Sequence, residues 1–173
     1  MIYLTTPLDK AILETLHVGD EVLLSGTIYT ARDAAHKRII EMLERNEKLP
    51  MPIKDQVIYY VGPTPKKENM IIGSAGPTTA SRMDAYAPKL YDLGLAMSIG
   101  KGYRNQEVRN SIKENKAIYA LAIGGLGALL SNCIKKSEVV AFHDLESEAI
   151  HKLEVENFPI TIGIDTNGND IYE

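Results

Sequence analysis

The sequence predicts a mixed α/β fold, and three observations carry that prediction. Short β-compatible runs alternate with stretches of helical period along the length of the chain. Residues 117–123 form a continuous apolar run, the pattern of a strand buried on both faces. Gly-Pro pairs at Gly62-Pro63 and Gly76-Pro77 close strand-like segments rather than interrupting helices.

Taken in order, Thr6-Pro7-Leu8-Asp9 reads as a helix start, with Thr6 as hydroxyl cap and proline in the first turn. Leu8, Ala11, Ile12 and Leu16 share the next face, and Gly19 stops the helix. Residues 21–29 predict a strand in which Gly26 marks a bulge or a close backbone approach. From Ala31 to about Asn46 the period turns helical, with Ala35, Ile39, Met42 and Leu43 as the apolar stripe. Pro50 and Pro52 make a loop. Strands are then predicted over 56–61 and 70–74, a helix over 79–93, a short strand over 95–99, and a polar helix over 105–115. After the apolar run, Gly124-Gly125-Leu126-Gly127 turns into a short helix. Residues 139–142, 153–155 and 160–164 complete the strands, and Asn167-Gly168 is a hairpin turn signal.

A chain of 173 residues, 45% hydrophobic and 24% charged, has the composition of one globular domain, read here as spanning residues 1–173. That length buries a core without disulfides or metal. Nineteen basic against twenty-three acidic residues give a net charge of -4, which disfavours nucleic acid and anionic membranes as partners. The apolar stretch 117–130 is too short for a membrane span, and no secretory signal is visible, so a cytoplasmic location is expected. The single cysteine, Cys133, excludes an internal disulfide, a four-cysteine zinc site and an iron–sulfur cluster held by this chain alone; it reads as a small buried hydrophobe. His17, His36, His143 and His151 are scattered, so no metal ligand set is expected here.

Three segments place unusual groups just beyond predicted strands. In GTIYTARDAAHKR a strand runs into a helix N-terminus, and Arg32 and His36 share a face. Arg32 suits a carboxylate; the plainer alternative is a solvated basic face with Asp33 pairing Lys37. In the segment from Gly73 to Asp84, small and hydroxyl residues meet Arg82 at a strand-to-helix turn, where Thr78 and Thr79 could cap the helix and Thr78 stands one turn from Arg82. In Gly100-Lys101-Gly102 a lysine sits between two glycines. Arg32, Arg82 and Lys101 together supply the charge a small dianion needs. The chain offers no Ser/His/Asp set and no paired carboxylates, so the residues alone describe an anion-binding half-site.

The strings GTIYTARDAAHKR, GPTTASRMDAY and IGKG resemble the C-terminal, or β-subunit, part of class I fumarate hydratases. The related L-tartrate dehydratase β subunit shares the scheme. The similarity extends from LTTPLDK through VGDEVLLSG and AIGGLGALL to the terminal hairpin, and the unbroken IYTARDAAHKR resembles the fumarase version. The resemblance implies a swivelling β/β/α domain with a mixed central sheet flanked by helices, and a hydro-lyase that interconverts fumarate and L-malate. It implies a partner α subunit whose cysteines hold a [4Fe-4S] cluster with one iron free for substrate, and higher assemblies of αβ units. This chain, with one cysteine, then corresponds to a separate β subunit that is inactive alone. By the same resemblance Arg32, Arg82 and Lys101 bind the substrate carboxylates, and Thr78 removes the C3 proton, coupled to an aspartate of the α subunit. His36 and Thr79 stand beside these contacts. A different class of reading is a stand-alone dicarboxylate-binding module on the same fold.

Overall fold

The computed structural model describes residues 1–122 and 127–173. In chain order these form β1 (Ile2–Thr5), α1 (Lys10–Leu13), β2 (Glu21–Thr30), α2 (Asp33–Glu44), β3 (Val57–Tyr59), a 3-10 turn (Ala80–Met83), α3 (Ala87–Asp92), β4 (Met97–Gly100), α4 (Gln106–Asn115), β5 (Ile118–Leu121), α5 (Gly127–Ser131), β6 (Ile134–Ala141), a second 3-10 turn (His143–Glu148) and β7 (Ile150–Ile164).

The sheet is mixed, in the order β1-β2-β3-β4-β5-β7-β6, and an additional β2–β7 pairing closes strands 2, 3, 4, 5 and 7 into a ring. Strands β1 to β5 run parallel to their neighbours, whereas β7 is antiparallel to β2, β5 and β6. Closure needs strong coiling, and bulges supply it. Gly26 adopts φ 106°, a left-handed value that glycine tolerates, where the β2–β7 register shifts. Opposite it, Asn157 is left-handed at φ 53° within β7.

Alternation along the strands divides the core in two. Val57 and Tyr59 join one cluster with Leu24, Ile99, Phe158 and Ile162. Tyr59 meets the Phe158 ring edge-on at 5.1 Å across the ring, since β3 and β7 are not paired. Ile58 and Tyr60 face the other cluster, where α2, α3 and α4 pack through Ile39, Leu90, Tyr91 and Ile112.

Several expectations change. Asp9, not Thr6, caps α1, its carboxylate accepting the N–H of Ile12, because the Thr6 hydroxyl is committed to the carbonyl of Thr27. The first strand, β1, went unread. Residues 70–74 form no strand; the segment folds back on Thr64, which exchanges backbone and side-chain hydrogen bonds with Ser74. The helix expected over 79–93 is split, since Pro88 cannot donate the amide bond that Asp84 would accept. Residues 153–155 and 160–164 belong to one continuous strand, and β6 begins at Ile134 rather than at 139. Cys133 is half-buried, packed at the edge of the ring cluster. The turn at Gly124-Gly125-Leu126 lies outside the described residues; Gly127 accepts the N–H of Ala75.

Candidate functional site

Parallel strands β2, β3 and β4 deliver their carboxyl ends side by side, the edge at which α/β sheets bind ligands. Arg32 lies two residues past β2 as the N-cap residue of α2, next to Ala31, whose N–H donates to the carbonyl of Tyr59 at 3.1 Å. Thr78 is strapped to the neighbouring strand ends: its N–H donates to Tyr60 at 2.7 Å and its carbonyl accepts from Lys101 at 3.3 Å. Ala80 in turn donates to the Lys101 carbonyl at 2.8 Å, so Thr79 and Lys101 form an isolated parallel bridge. The approach is close enough that a methyl group on Gly100 would stand 2.9 Å from the Tyr60 ring and 3.1 Å from Ala80 Cβ.

The two arginines meet through a residue the sequence paired elsewhere. Arg82 Nε donates to Asp33 Oδ2 at 3.0 Å, and Arg32 Nε lies 3.5 Å from Asp33 Oδ1 without hydrogen-bond geometry. Asp33 therefore faces Arg82, not Lys37, because the first turn of α2 abuts the 3-10 turn while Lys37 points to solvent. The Arg32 arm lies over Gly62, where an added methyl would be 2.9 Å from its Cδ. Among the described residues, neither arginine's terminal nitrogens hydrogen-bond a protein group, which leaves both forks open to a carboxylate. Thr78 is half-buried, and Thr79 and Lys101 are exposed. Neither threonine caps a helix as expected; Thr79 precedes the 3-10 turn with no side-chain hydrogen bond.

His36 is buried, which excludes a solvated basic face. Its Nδ1 lies 2.8 Å from the Arg32 carbonyl, which only accepts, so Nδ1 carries the proton and donates. Its Nε2 is buried without a partner among the described residues. The ring stacks on Tyr86 and meets Tyr60 edge-on. Burial above all, with the nearby Arg104 charge, lowers its pKa from 6.5 to about 4. The imidazole is thus neutral at pH 7 and holds the backbone from which Arg32 projects. Above pH ~6.5 folded and unfolded chains are both uncharged at this residue. As pH falls from there toward ~4, only the unfolded chain takes up the proton, so about 3 kcal/mol of stability is lost. Urea unfolding at pH 7 and pH 5 checks this: a His36→Phe chain should lose less stability between the two than the parent.

Sequence reasoning missed Asp33 as the link between arginines, and it missed Asp84 and Arg104, which form a buried ion pair at 2.7 Å beneath the loop bearing Lys101. The one available signal was a second cation, after Lys101, within four residues of Gly100. The residues do not fit a [4Fe-4S] cluster: Cys133 is the sole cysteine, and among the described residues no three His, Cys, Asp or Glu side chains group to hold a metal. Among the described residues, no helix is long and apolar enough to cross a membrane.

The family model described as "Fumarase C-terminus" matches residues 1–173. A Methanocaldococcus jannaschii protein provisionally named L(+)-tartrate dehydratase subunit beta is 41% identical, across 100% of this chain and 92% of its own length. Fumarate hydratase 2 of Leishmania major is 41% identical over 98% of this chain, and the aerobic class I fumarate hydratase of Escherichia coli is 42% identical over 94% of it. The chain spans about 30% of each of those two relatives.

Proposed function

Because the chain belongs to the fumarase C-terminus family, we propose that it is the β subunit of an iron–sulfur hydro-lyase that reversibly hydrates fumarate to L-malate. One observation carries the reading: Arg32 and Arg82, fifty residues apart in sequence, converge on Asp33 at the strand edge where the Thr78 carbonyl accepts the N–H of Lys101. In this reading two guanidinium forks and an ammonium bind and orient a C4 dicarboxylate, and the Thr78 hydroxyl takes the C3 proton. A threonine hydroxyl is a weak base at neutral pH, so it requires desolvation and an acceptor, which we assign to a carboxylate of a partner α subunit. The partner also supplies the cluster, for which the described residues offer no ligand set. The whole of residues 1–173 acts as one unit in this reading, in the cytoplasm and within a larger assembly of αβ pairs.

A second reading is favoured by a specific observation: the chain matches 92% of the length of the tartrate dehydratase β relative, but about a third of the fumarate hydratases. In that case the same cations grip L-tartrate. The test is anaerobic purification of the chain alone and with its cluster-bearing partner, followed by assay of fumarate, L-malate and L-tartrate. The isolated chain is expected to be inactive and the complex active on the C4 substrates, with fumarate preferred. Turnover by the isolated, iron-free chain would refute the β-subunit reading, and turnover of tartrate alone would replace the substrate.

A further inference from the structure

The buried ion pair beneath the half-site is not used by any of the substrate contacts proposed above. Arg104 is 3% exposed, and each of its three guanidinium nitrogens donates a hydrogen bond. Nε donates to Asp84 Oδ1 at 2.7 Å, Nη1 to Ser98 Oγ at 3.2 Å and Nη2 to the Tyr60 hydroxyl at 3.2 Å. The plane lies over the rings of Tyr60 and Tyr119, 5.2 and 4.8 Å from their centroids. The second oxygen of Asp84 accepts the N–H of Asn105 at 2.9 Å.

These partners come from separate pieces of chain, and each piece carries a different part of the site. Asp84 directly follows the 3-10 turn that bears Arg82. Tyr60 accepts the N–H of Thr78 on its carbonyl, and Ser98 lies in β4, which leads into Lys101. The Tyr119 hydroxyl donates to the carbonyl of Gly102 at 2.7 Å, pinning the loop from the other side. A lysine at position 104 could not reach three acceptors in one plane. Stability is a poor explanation for the pair: removing two charges from water is costly, and apolar replacements of similar volume are often neutral or better.

We infer that the Arg104–Asp84 pair is a positioning device that fixes the register of Arg82, Thr78 and Lys101 relative to one another. It governs turnover without touching substrate, and in this respect it rests on the hydro-lyase reading. The geometric part does not: the pair holds the Thr79–Lys101 bridge and the Lys101–Thr78 hydrogen bond whatever the substrate.

The test uses the full chain with Arg104→Met/Asp84→Leu, which fills the site with apolar volume, and separately with Arg104→Lys. Hydrogen exchange is measured on the chain, and kinetics on the assembled complex. The double variant is expected to melt near the parent temperature. Its Ala80 and Lys101 amides should exchange at least ~10-fold faster while those of α2 are unchanged. Its kcat should fall ~100-fold, the scale expected when reacting groups are misplaced by about 1 Å. Arg104→Lys is expected to loosen the same two amides.

A double variant with parental exchange at Ala80 and Lys101, or with kcat within about three-fold of the parent, overturns the inference. So does uniform acceleration of all amides, which marks a merely structural pair. If the double variant fails to fold, Arg104→Lys decides by the same two amides. If the parent complex hydrates no C4 substrate, the functional reading falls, and the exchange result alone decides the positioning role.

Discussion

Arg82→Ala is expected, on the hydro-lyase reading, to lower kcat/KM of the assembled enzyme by roughly thirty- to several-thousand-fold while leaving the melting temperature nearly unchanged. The two effects separate because, in that reading, Arg82 does different things in the free chain and in the complex. In the free chain its side chain is 53% exposed and bonded only to Asp33 among the described residues, and such half-exposed pairs contribute little to stability. In the reading proposed here, substrate and partner desolvate it, and losing one member of a desolvated charge pair typically costs ~2–5 kcal/mol. At ~1.4 kcal/mol per decade this gives the stated range. Arg32→Ala should fall in the same range. Steady-state kinetics beside a thermal melt checks both, and near-parental kcat/KM for either variant would remove that arginine from the site.

Thr78→Val is expected to reduce kcat by roughly 10²–10⁴-fold, the contribution of a positioned acid–base group, with a smaller change in KM. Valine keeps the β-branched shape, so the strap between Tyr60 and Lys101 survives and only the hydroxyl is lost. Thr79→Val should be much milder. The backbone explains the order: Thr78 is half-buried and bonded on both sides, to Tyr60 through N–H and to Lys101 through C=O, which fixes its Cα direction. Thr79 is exposed, with no side-chain hydrogen bond to the turn that follows. Measuring kcat and KM for both variants distinguishes them, and the reverse order would move the base to Thr79.

How much of this was legible in the sequence depended on the range of each interaction. Local signals read correctly where a single segment determines the outcome: the α2 stripe through Ala35 and Ile39, the polar helix α4, and the buried run around Ile118. The strand-end logic also singled out Arg32, Thr78, Arg82 and Lys101, which the structure brings to one edge. It failed where the partner is distant. Nothing near Asp33 announces Arg82, and nothing near Arg104 announces Tyr60. A solvated face and a buried imidazole look alike in the string DAAHKR, because burial of His36 is decided by Tyr60 and Tyr86 arriving from elsewhere. The split helix after Thr79 was readable from Pro88, whose missing amide should have outweighed the apolar spacing.

The closing strand has a consequence for biogenesis. Glu21 is matched with Thr161, and Leu24 with Phe158, so the cylinder is sealed by residues synthesised well over a hundred positions after the strand they complete. Until those residues leave the ribosome, β2 exposes an apolar edge with no mate, and such long-range pairing is slow. Nascent chains are therefore expected to depend on chaperones until Phe158 has been made. A premature stop before Phe158 should yield an aggregate and not a shortened folded domain.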